Sequence, residues 1–210
     1  MKSRINTSFN DTSEKIVYLY DKVASRVAEI YEGQNHIRWI QRFTEELPRG
    51  GKILDLGCGS GKDVAIVNSL GFEAIGVDGS KGMLHEATKR HPGIRVMLGD
   101  IGNLELSNKF FDGVWSWSVT THLKIEDKKK TLKEVLRVLK SGGIFAQTIW
   151  RGEGLFVYKF HKNIPPRPHY LISISSWRKL YREVGFVNFN VEYIEVKKGR
   201  GSVHLTAIKK

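Results

Sequence analysis

Ile16, Tyr20, Val23, Val27 and Ile30 recur at spacings of three and four, which puts them on one stripe of a helix running to about Tyr31. Asp11 and Glu14 stand at the spacing of a capping box before that stripe. A second periodic stretch, His36 to Leu47, predicts another helix, stopped by Pro48, Gly50 and Gly51. Beyond Gly51 the period shortens. Seven runs read as strands: KILDL, EAIGVD, IRVMLGD, DGVWSWS, GGIFAQTIW, FVNFNVEYIEV and SVHLTAI. Helix-like or loop stretches such as KDVAIVNSLG, SKGMLHEATKR and KKTLKEVLRVLK separate the early ones, the last with Leu132, Val135, Leu136 and Leu139 on one face. This alternation predicts an α/β chain with a doubly wound, mainly parallel seven-stranded sheet and helices on both faces. The last two runs, joined by KKGRG, predict a hairpin that ends the sheet in an antiparallel strand. Between Trp150 and a helix over Ser175–Val184, marked by Trp177, Leu180, Tyr181 and Val184, the period lapses. Residues 151–171 hold three of the five prolines and are expected to form an irregular insertion on the substrate side.

Composition narrows the class. A chain of 210 residues with 40% hydrophobic content can bury one full core, so 1–210 is read as a single domain whose N-terminal helices, 1–48, cover the site. No apolar run approaches the roughly 20 residues of a spanning helix, and MKSRINTSFN lacks the apolar middle of a signal peptide. A soluble, cytoplasmic protein without a membrane partner is expected. The single cysteine, Cys58, has no second thiol for a disulfide or a CxxC metal pair, and no metal site is expected. The net charge of +12 suits polyanions or acidic substrates, although such an excess is most simply a solvated surface. The run KIEDKKK, 124–130, is read as a solvated helix start.

The candidate chemistry gathers at ILDLGCGSGKD, 53–63. In a doubly wound sheet, ligands sit beyond the carboxyl ends of the strands. Gly57, Gly59 and Gly61 let backbone approach a ligand closely, and the helix that follows points free N–H groups at it. The spacing GxGxG differs from the GxGxxG of dinucleotide sites. Asp55, at the end of the first strand, would repel a pyrophosphate and attract an ammonium group. Asp78 ends the second strand, placed to accept two ribose hydroxyls, and Asp100 ends the third, placed to accept from an exocyclic amine. Cation, ribose and adenine together describe S-adenosylmethionine.

On these residues the chain resembles the class I S-adenosylmethionine-dependent methyltransferases, a Rossmann-like superfamily, from Tyr18 onward. LDLGCGSG is similar to the family's first motif, GVDGS to its second, LGDIGNL to its third and FDGVWSWSVTTHL to its fourth, while TLKEVLRVLKSGGIF resembles its following helix and strand. The resemblance implies that Gly57, Cys58 and Gly59 line the methionine portion of S-adenosylmethionine and that Asp78 holds the ribose. It puts Gly79 and Met83 along the adenosine, Asp100 and Ile101 at the adenine, and Trp115 and Ser116 at the pocket floor. Gly79 departs from the bulkier residue of many relatives.

Each candidate has a plainer role beside it. Asp55 can cap the next helix, and Cys58 is read as a small packed thiol rather than a nucleophile. His122, just past the fourth strand, is the candidate general base, with a hydrogen-bonded structural histidine as the favoured alternative. Trp115 and Trp117 are taken to face opposite sides of their strand, one of them plain core. Substrate contacts are expected from Tyr20, Tyr31, Trp117, His122, Tyr158, His161, His169 and Tyr170. WSVTTHL stands where base-amine methyltransferases commonly carry an Asn/Asp-Pro-Pro-aromatic tetrapeptide, so the leading expectation is transfer to a small molecule. An RNA acceptor is the alternative, because GCGSGKD and VTTHLK resemble enzymes that methylate modified wobble uridines, and Arg151, Lys159, Lys162 and Arg167 face only Glu153 in the insertion. A non-catalytic cofactor-binding regulator is the third reading.

Overall fold

The computed structural model describes residues 13–159, 161–194 and 201–210. Asp11 of the capping box and most of the KKGRG connection lie outside them. In chain order the elements are α1 (Ser13–Glu32), α2 (Ile37–Glu45), β1 (Lys52–Leu56), α3 (Lys62–Ser69), β2 (Glu73–Asp78), α4 (Lys81–Arg90), β3 (Arg95–Leu98) and β4 (Phe111–Trp117). A 3-10 turn (Thr120–His122) leads to α5 (Ile125–Val138), β5 (Leu139–Trp150), β6 (Gly154–Tyr158), β7 (Arg167–Leu171), α6 (Ile174–Val184), β8 (Phe186–Ile194) and β9 (Ser202–Lys209).

Seven strands form one sheet in the order β3-β2-β1-β4-β5-β9-β8, the first five parallel, with β9 antiparallel to both β5 and β8. The apolar faces decide the layers. Leu54, Leu56, Val114 and Phe145 turn toward Leu132, Val135, Trp177 and Tyr181 of α5 and α6. Ile53, Trp115 and Ala146 turn toward Trp39, Ile40, Phe43, Val64 and Val67 of α2 and α3. Strand order reverses between β1 and β4, which opens a crevice at their carboxyl ends. The long first helix bends, because Val23 has non-helical angles (φ −125°, ψ 17°), and its second half packs through Ala24, Val27 and Ala28 on Met83 of α4.

Three expectations are overturned. Residues 151–171 are not irregular: β6 and β7 pair as an antiparallel hairpin, with Val157 opposite Pro168. A two-stranded ribbon leaves Pro168 free of the main sheet, so its missing N–H costs no ladder bond there. Trp115 and Trp117 share a face, their rings stacked 5.8 Å apart, because strand side chains alternate with a period of two and positions two apart point the same way. Finally, Lys128 in the charged start of α5 is 1% exposed, its ammonium donating to the carbonyls of Leu123 and Tyr170. Burial lowers its pKa to about 7.

Candidate active site

The glycine loop is clamped onto the end of β2. Gly57 and Cys58 N–H donate to the Val77 carbonyl at 2.7 and 3.0 Å, and Gly59 N–H donates to Asp78 Oδ2 at 2.9 Å. Gly57, Gly59 and Gly61 all have positive φ, the region where only glycine is unstrained. They do not all serve a ligand. A Cβ on Gly57 would lie 2.4 Å from a Val119 methyl, and one on Gly61 would lie 2.4 Å from Ile94 Cδ1 and 3.0 Å from Ala87 Cβ. Gly61 therefore admits the packing of α3 against α4, which corrects the expectation that it opens toward the cleft. Above the loop, the Lys62 ammonium donates to the carbonyls of Tyr31, Glu32 and Gln34. It satisfies orphan carbonyls at the end of α1 and fastens the N-terminal helices to the loop.

Asp55, Gly57, Cys58, His36 and Trp117 line a narrow cleft here, with Tyr31 at its rim. Asp55 is 3% exposed and its Oδ2 is buried with no partner. Burial, reinforced by Asp63 and Asp78, pushes its pKa well up. His36 precedes α2 and stacks on Trp117 at 4.2 Å. Its Nε2 lies 2.6 Å from Asp63 Oδ1, and the Trp115 indole N–H donates to Asp63 Oδ2 at 2.7 Å. Since the Asp63 carboxylate accepts at Nε2, Nδ1 of His36 is the open position, and it too is buried without a partner. That nitrogen accepts on the neutral ring and donates on the imidazolium that Asp63 would pair. Asp55 and His36 together suit the amino-acid end of S-adenosylmethionine, which carries an ammonium and a carboxylate. The orphaned atoms fit that group.

The other expected cofactor residues divide. Asp78 accepts from Gly59 and Ser80 N–H, and each oxygen keeps a lone pair for a ribose hydroxyl. Its pKa is raised by burial against those same bonds, which lower it. Gly79 lies under Val17 of α1, whose methyl would be 2.9 Å from an added Cβ; the side chain that Gly79 lacks is replaced from another helix. Met83 is buried between α1 and α4, 3.4 Å from where a Gly59 Cβ would stand. Cys58 is buried, its pKa raised by burial and then by Asp55, so it is a packed neutral thiol. Asp100 points to solvent, its side chain 63% exposed, accepting from Gly102 N–H with Lys130 3.9 Å away, while Ile101 packs on the α5–α6 side of the sheet. Trp115 is fully buried behind Asp63, and the Ser116 hydroxyl donates to the Leu56 carbonyl on the opposite face of β4. Neither forms an open floor.

Among the expected substrate residues, Tyr20, Tyr31 and His122 come together. His122 Nδ1 lies 2.9 Å from the Pro168 carbonyl, which only accepts, so the proton is on Nδ1. Nε2, 3.2 Å from the Tyr20 hydroxyl, then accepts from it, and the Tyr31 hydroxyl lies 3.4 Å from that of Tyr20. His122 thus has both nitrogens engaged. His169 lies face to face with Trp150 at 4.4 Å and 4.5 Å from His122. Tyr158 is edge-on to Trp150, Tyr170 gives its carbonyl to Lys128, and His161 Nδ1 accepts Asn163 N–H within the hairpin turn. Arg167, grouped in the sequence with a basic stretch, turns inward and is 4% exposed. Sequence reasoning missed His36 and Asp63, whose roles arise from partners 27 and 52 residues away, and the inward Arg167, which meets the Tyr20 ring of the distant first helix.

Burial lowers the pKa of His122 to about 4, with Arg167 the next cause, and lowers that of His204 to about 4 as well. Both are bases with depressed folded-state pKa, so their contribution is present above the unfolded value of 6.5 and is lost as pH falls toward 4. Thermal melts are expected to drop across that window, and nitrogen NMR should show both rings neutral at pH 6. A ring titrating near 6.5 would contradict this arrangement.

Comparison with known proteins agrees with this geometry. Residues 53–143 match the methyltransferase domain family. The tRNA (carboxymethyluridine(34)-5-O)-methyltransferase of Arabidopsis thaliana is 33% identical over 63% of this chain and 32% of its own length. The demethylmenaquinone methyltransferase of Symbiobacterium thermophilum is 28% identical over 89% of this chain and 90% of its own. The crystal structure of Burkholderia thailandensis 1,6-didemethyltoxoflavin-N1-methyltransferase, with its substrate and S-adenosylhomocysteine bound, superposes with a TM-score of 0.74 at 17% identity, covering 98% of this chain and 93% of that one. The chain spans 32%, 49% and 63% of the length of the first three curated relatives it matches. Among the described residues no helix is long and apolar enough to cross a membrane.

Proposed function

Because the chain belongs to the class I S-adenosylmethionine-dependent methyltransferases, we propose that it binds S-adenosylmethionine and transfers its methyl group to a small-molecule acceptor. The observation that carries this reading is the pair of buried, unpartnered atoms in one cleft, Asp55 Oδ2 and His36 Nδ1. An unsatisfied buried polar atom costs about 1–3 kcal/mol, and a ligand with complementary charges removes that cost. In this reading Asp55 and His36 hold the amino-acid end, Asp78 takes the ribose hydroxyls, and Val17 covers the adenosine side above Gly79. When bound, the cofactor supplies an electrophilic methyl group on a sulfonium. What remains for the protein is to orient an acceptor lone pair and to exclude water. Tyr31 and Trp117 at the cleft, with the β6–β7 hairpin beyond Tyr20 and His122, form the acceptor side.

An RNA acceptor is favoured by one specific observation, the 33% identity to a tRNA methyltransferase. Against it, Arg167 is buried, and the Arg151 guanidinium rests over the Tyr193 ring at 5.0 Å. Incubation with cofactor labelled in the methyl group, against separate metabolite and RNA fractions, tests the reading. Label in a low-molecular-weight product at salt-independent rate is expected. Label in RNA, falling steeply as salt rises, would move the acceptor to RNA. No label in any fraction, with S-adenosylhomocysteine still bound, would leave a binding protein.

A further inference from the structure

We propose that residues 13–22, the first half of α1, form a gate over the ribose and adenosine positions, hinged at Val23 and latched by Asp21; the proposal rests on the methyltransferase reading above. The cleft at the glycine loop is too small to take the cofactor as it stands. Its volume is about 50 Å³, room for roughly one or two water molecules, whereas clefts that hold a ligand of this kind measure roughly 300–1,000 Å³. Its walls include none of Asp78, Gly79 and Met83. Gly79 and Met83 lie under α1: a Val17 methyl would be 2.9 Å from a Gly79 Cβ, and Ala24, Val27 and Ala28 cover Met83. For adenosine to reach them, part of this helix has to move.

Val23 divides α1 into halves that are held by different forces. Past it, Ala24, Val27 and Ala28 are buried, and the Lys62 ammonium ties the carbonyls of Tyr31, Glu32 and Gln34 to the glycine loop. That half is anchored. Before it, Ile16 alone is buried among the described residues, and the strongest holds on the site are polar. Asp21 Oδ1 accepts from the Ser80 hydroxyl at 2.6 Å and from Gly82 N–H at 2.8 Å, and the Tyr20 hydroxyl donates to His122 Nε2 at 3.2 Å. The Asp21 side is exposed, so water can take over its bonds, and letting go there costs less than uncovering the buried second half. The non-helical angles of Val23 give the backbone a place to turn. The latch closes on the ribose side itself, because Ser80 N–H donates to Asp78 Oδ1 at 2.8 Å and the Ser80 hydroxyl caps α4 by accepting from Met83 N–H at 3.1 Å. Gly82 stands in the first turn of α4, where a carboxylate also meets the positive end of the helix dipole. Both partners of Asp21 belong to the start of α4 and not to the carboxylate that takes the ribose, so the latch re-forms once ligand is inside. Tyr20 rides on the same half-helix, so one movement uncovers the cofactor end and the acceptor side together.

Stopped-flow mixing with S-adenosylhomocysteine, followed by tryptophan fluorescence because Trp117 lines the cleft, measures association and release. Removing the latch weakens the closed gate equally with and without ligand, so Asp21→Ala is expected to raise both rates about five- to twentyfold and to leave affinity within about threefold. Asp21→Asn, which keeps an accepting oxygen, should fall between. Hydrogen exchange gives the second reading: in Asp21→Ala, protection should drop across residues 14–22 and match the parent across 24–31. Faster release without faster association would make α1 a fixed wall of the ribose site, and unchanged rates would mean that Asp21 latches nothing; either overturns the proposal. So does a loss of protection that runs through both halves. If the unmodified protein binds no S-adenosylhomocysteine, the methyltransferase reading falls, while the exchange comparison still decides whether the half-helix opens at Val23.

Discussion

Asp55→Asn is expected to weaken S-adenosylhomocysteine binding roughly ten- to hundredfold while making the ligand-free protein more stable at neutral pH. The affinity loss follows from removing one charge-assisted contact, worth about 1.5–3 kcal/mol. The stability gain follows from the same carboxylate, buried with Oδ2 unpartnered and its pKa raised by burial, then by Asp63 and Asp78. An acid whose folded pKa is raised contributes stability that is complete below its unfolded value of 3.8 and is lost as pH rises through the folded value. The melting temperatures of variant and parent should therefore agree near pH 4 and diverge as pH increases. Binding of an ammonium group restores the carboxylate, so calorimetry in buffers of different ionisation enthalpy should register proton release that the variant lacks. An unchanged affinity in Asp55→Asn would remove Asp55 from the cofactor site.

Gly61→Ala should cost about 2–5 kcal/mol, from roughly 1–2 for a left-handed residue with a Cβ and roughly 1–3 for overpacking. The two causes can be separated within this chain. Gly61 has φ +75° and no room before Ile94 and Ala87, whereas Gly93 has φ +89° with nothing within 4 Å of an added Cβ. Gly93→Ala should pay only the backbone cost. Urea denaturation, with the midpoint falling and the slope unchanged, is the measurement, and equal losses for the two variants would refute the contact argument. Against a total stability of about 5–15 kcal/mol, the Gly61 loss is large enough to deplete folded protein at physiological temperature.

What the sequence made legible was what depends on local order. Apolar runs such as KILDL and EAIGVD sit in strands buried on both faces, so composition alone marks them, and the acids Asp55 and Asp78 within them mark the strand ends. The glycines at 57, 59 and 61 were visible as a turn, but not which of them meets Val119 or Ile94, since those partners come from other elements. The β6–β7 hairpin was illegible because two strands separated by a proline-rich turn show no clean alternation, and Arg167, Pro168 and His169 are buried through tertiary packing. His36 looked like an ordinary helix start, and its link to Asp63 and Trp115 exists only once α2 docks on the sheet. Lys128 shows the opposite failure. Its charged neighbours concealed that the helix turns this one ammonium inward.

The place of β9 has a consequence for how the protein is made. Val203, Leu205 and Ala207 are fully buried, and the strand that carries them stands between β5 and β8, hydrogen-bonded to each. A ribosome delivers β5 some fifty residues before it delivers β9. Throughout that interval β5 presents an unpaired apolar edge, and β8 has no sheet to join. The nascent chain therefore spends that interval as a template for wrong strand pairing, the condition under which chaperones are needed. A message interrupted just ahead of Ser202 would yield a sheet without its keystone, and such a product would be cleared rather than work slowly.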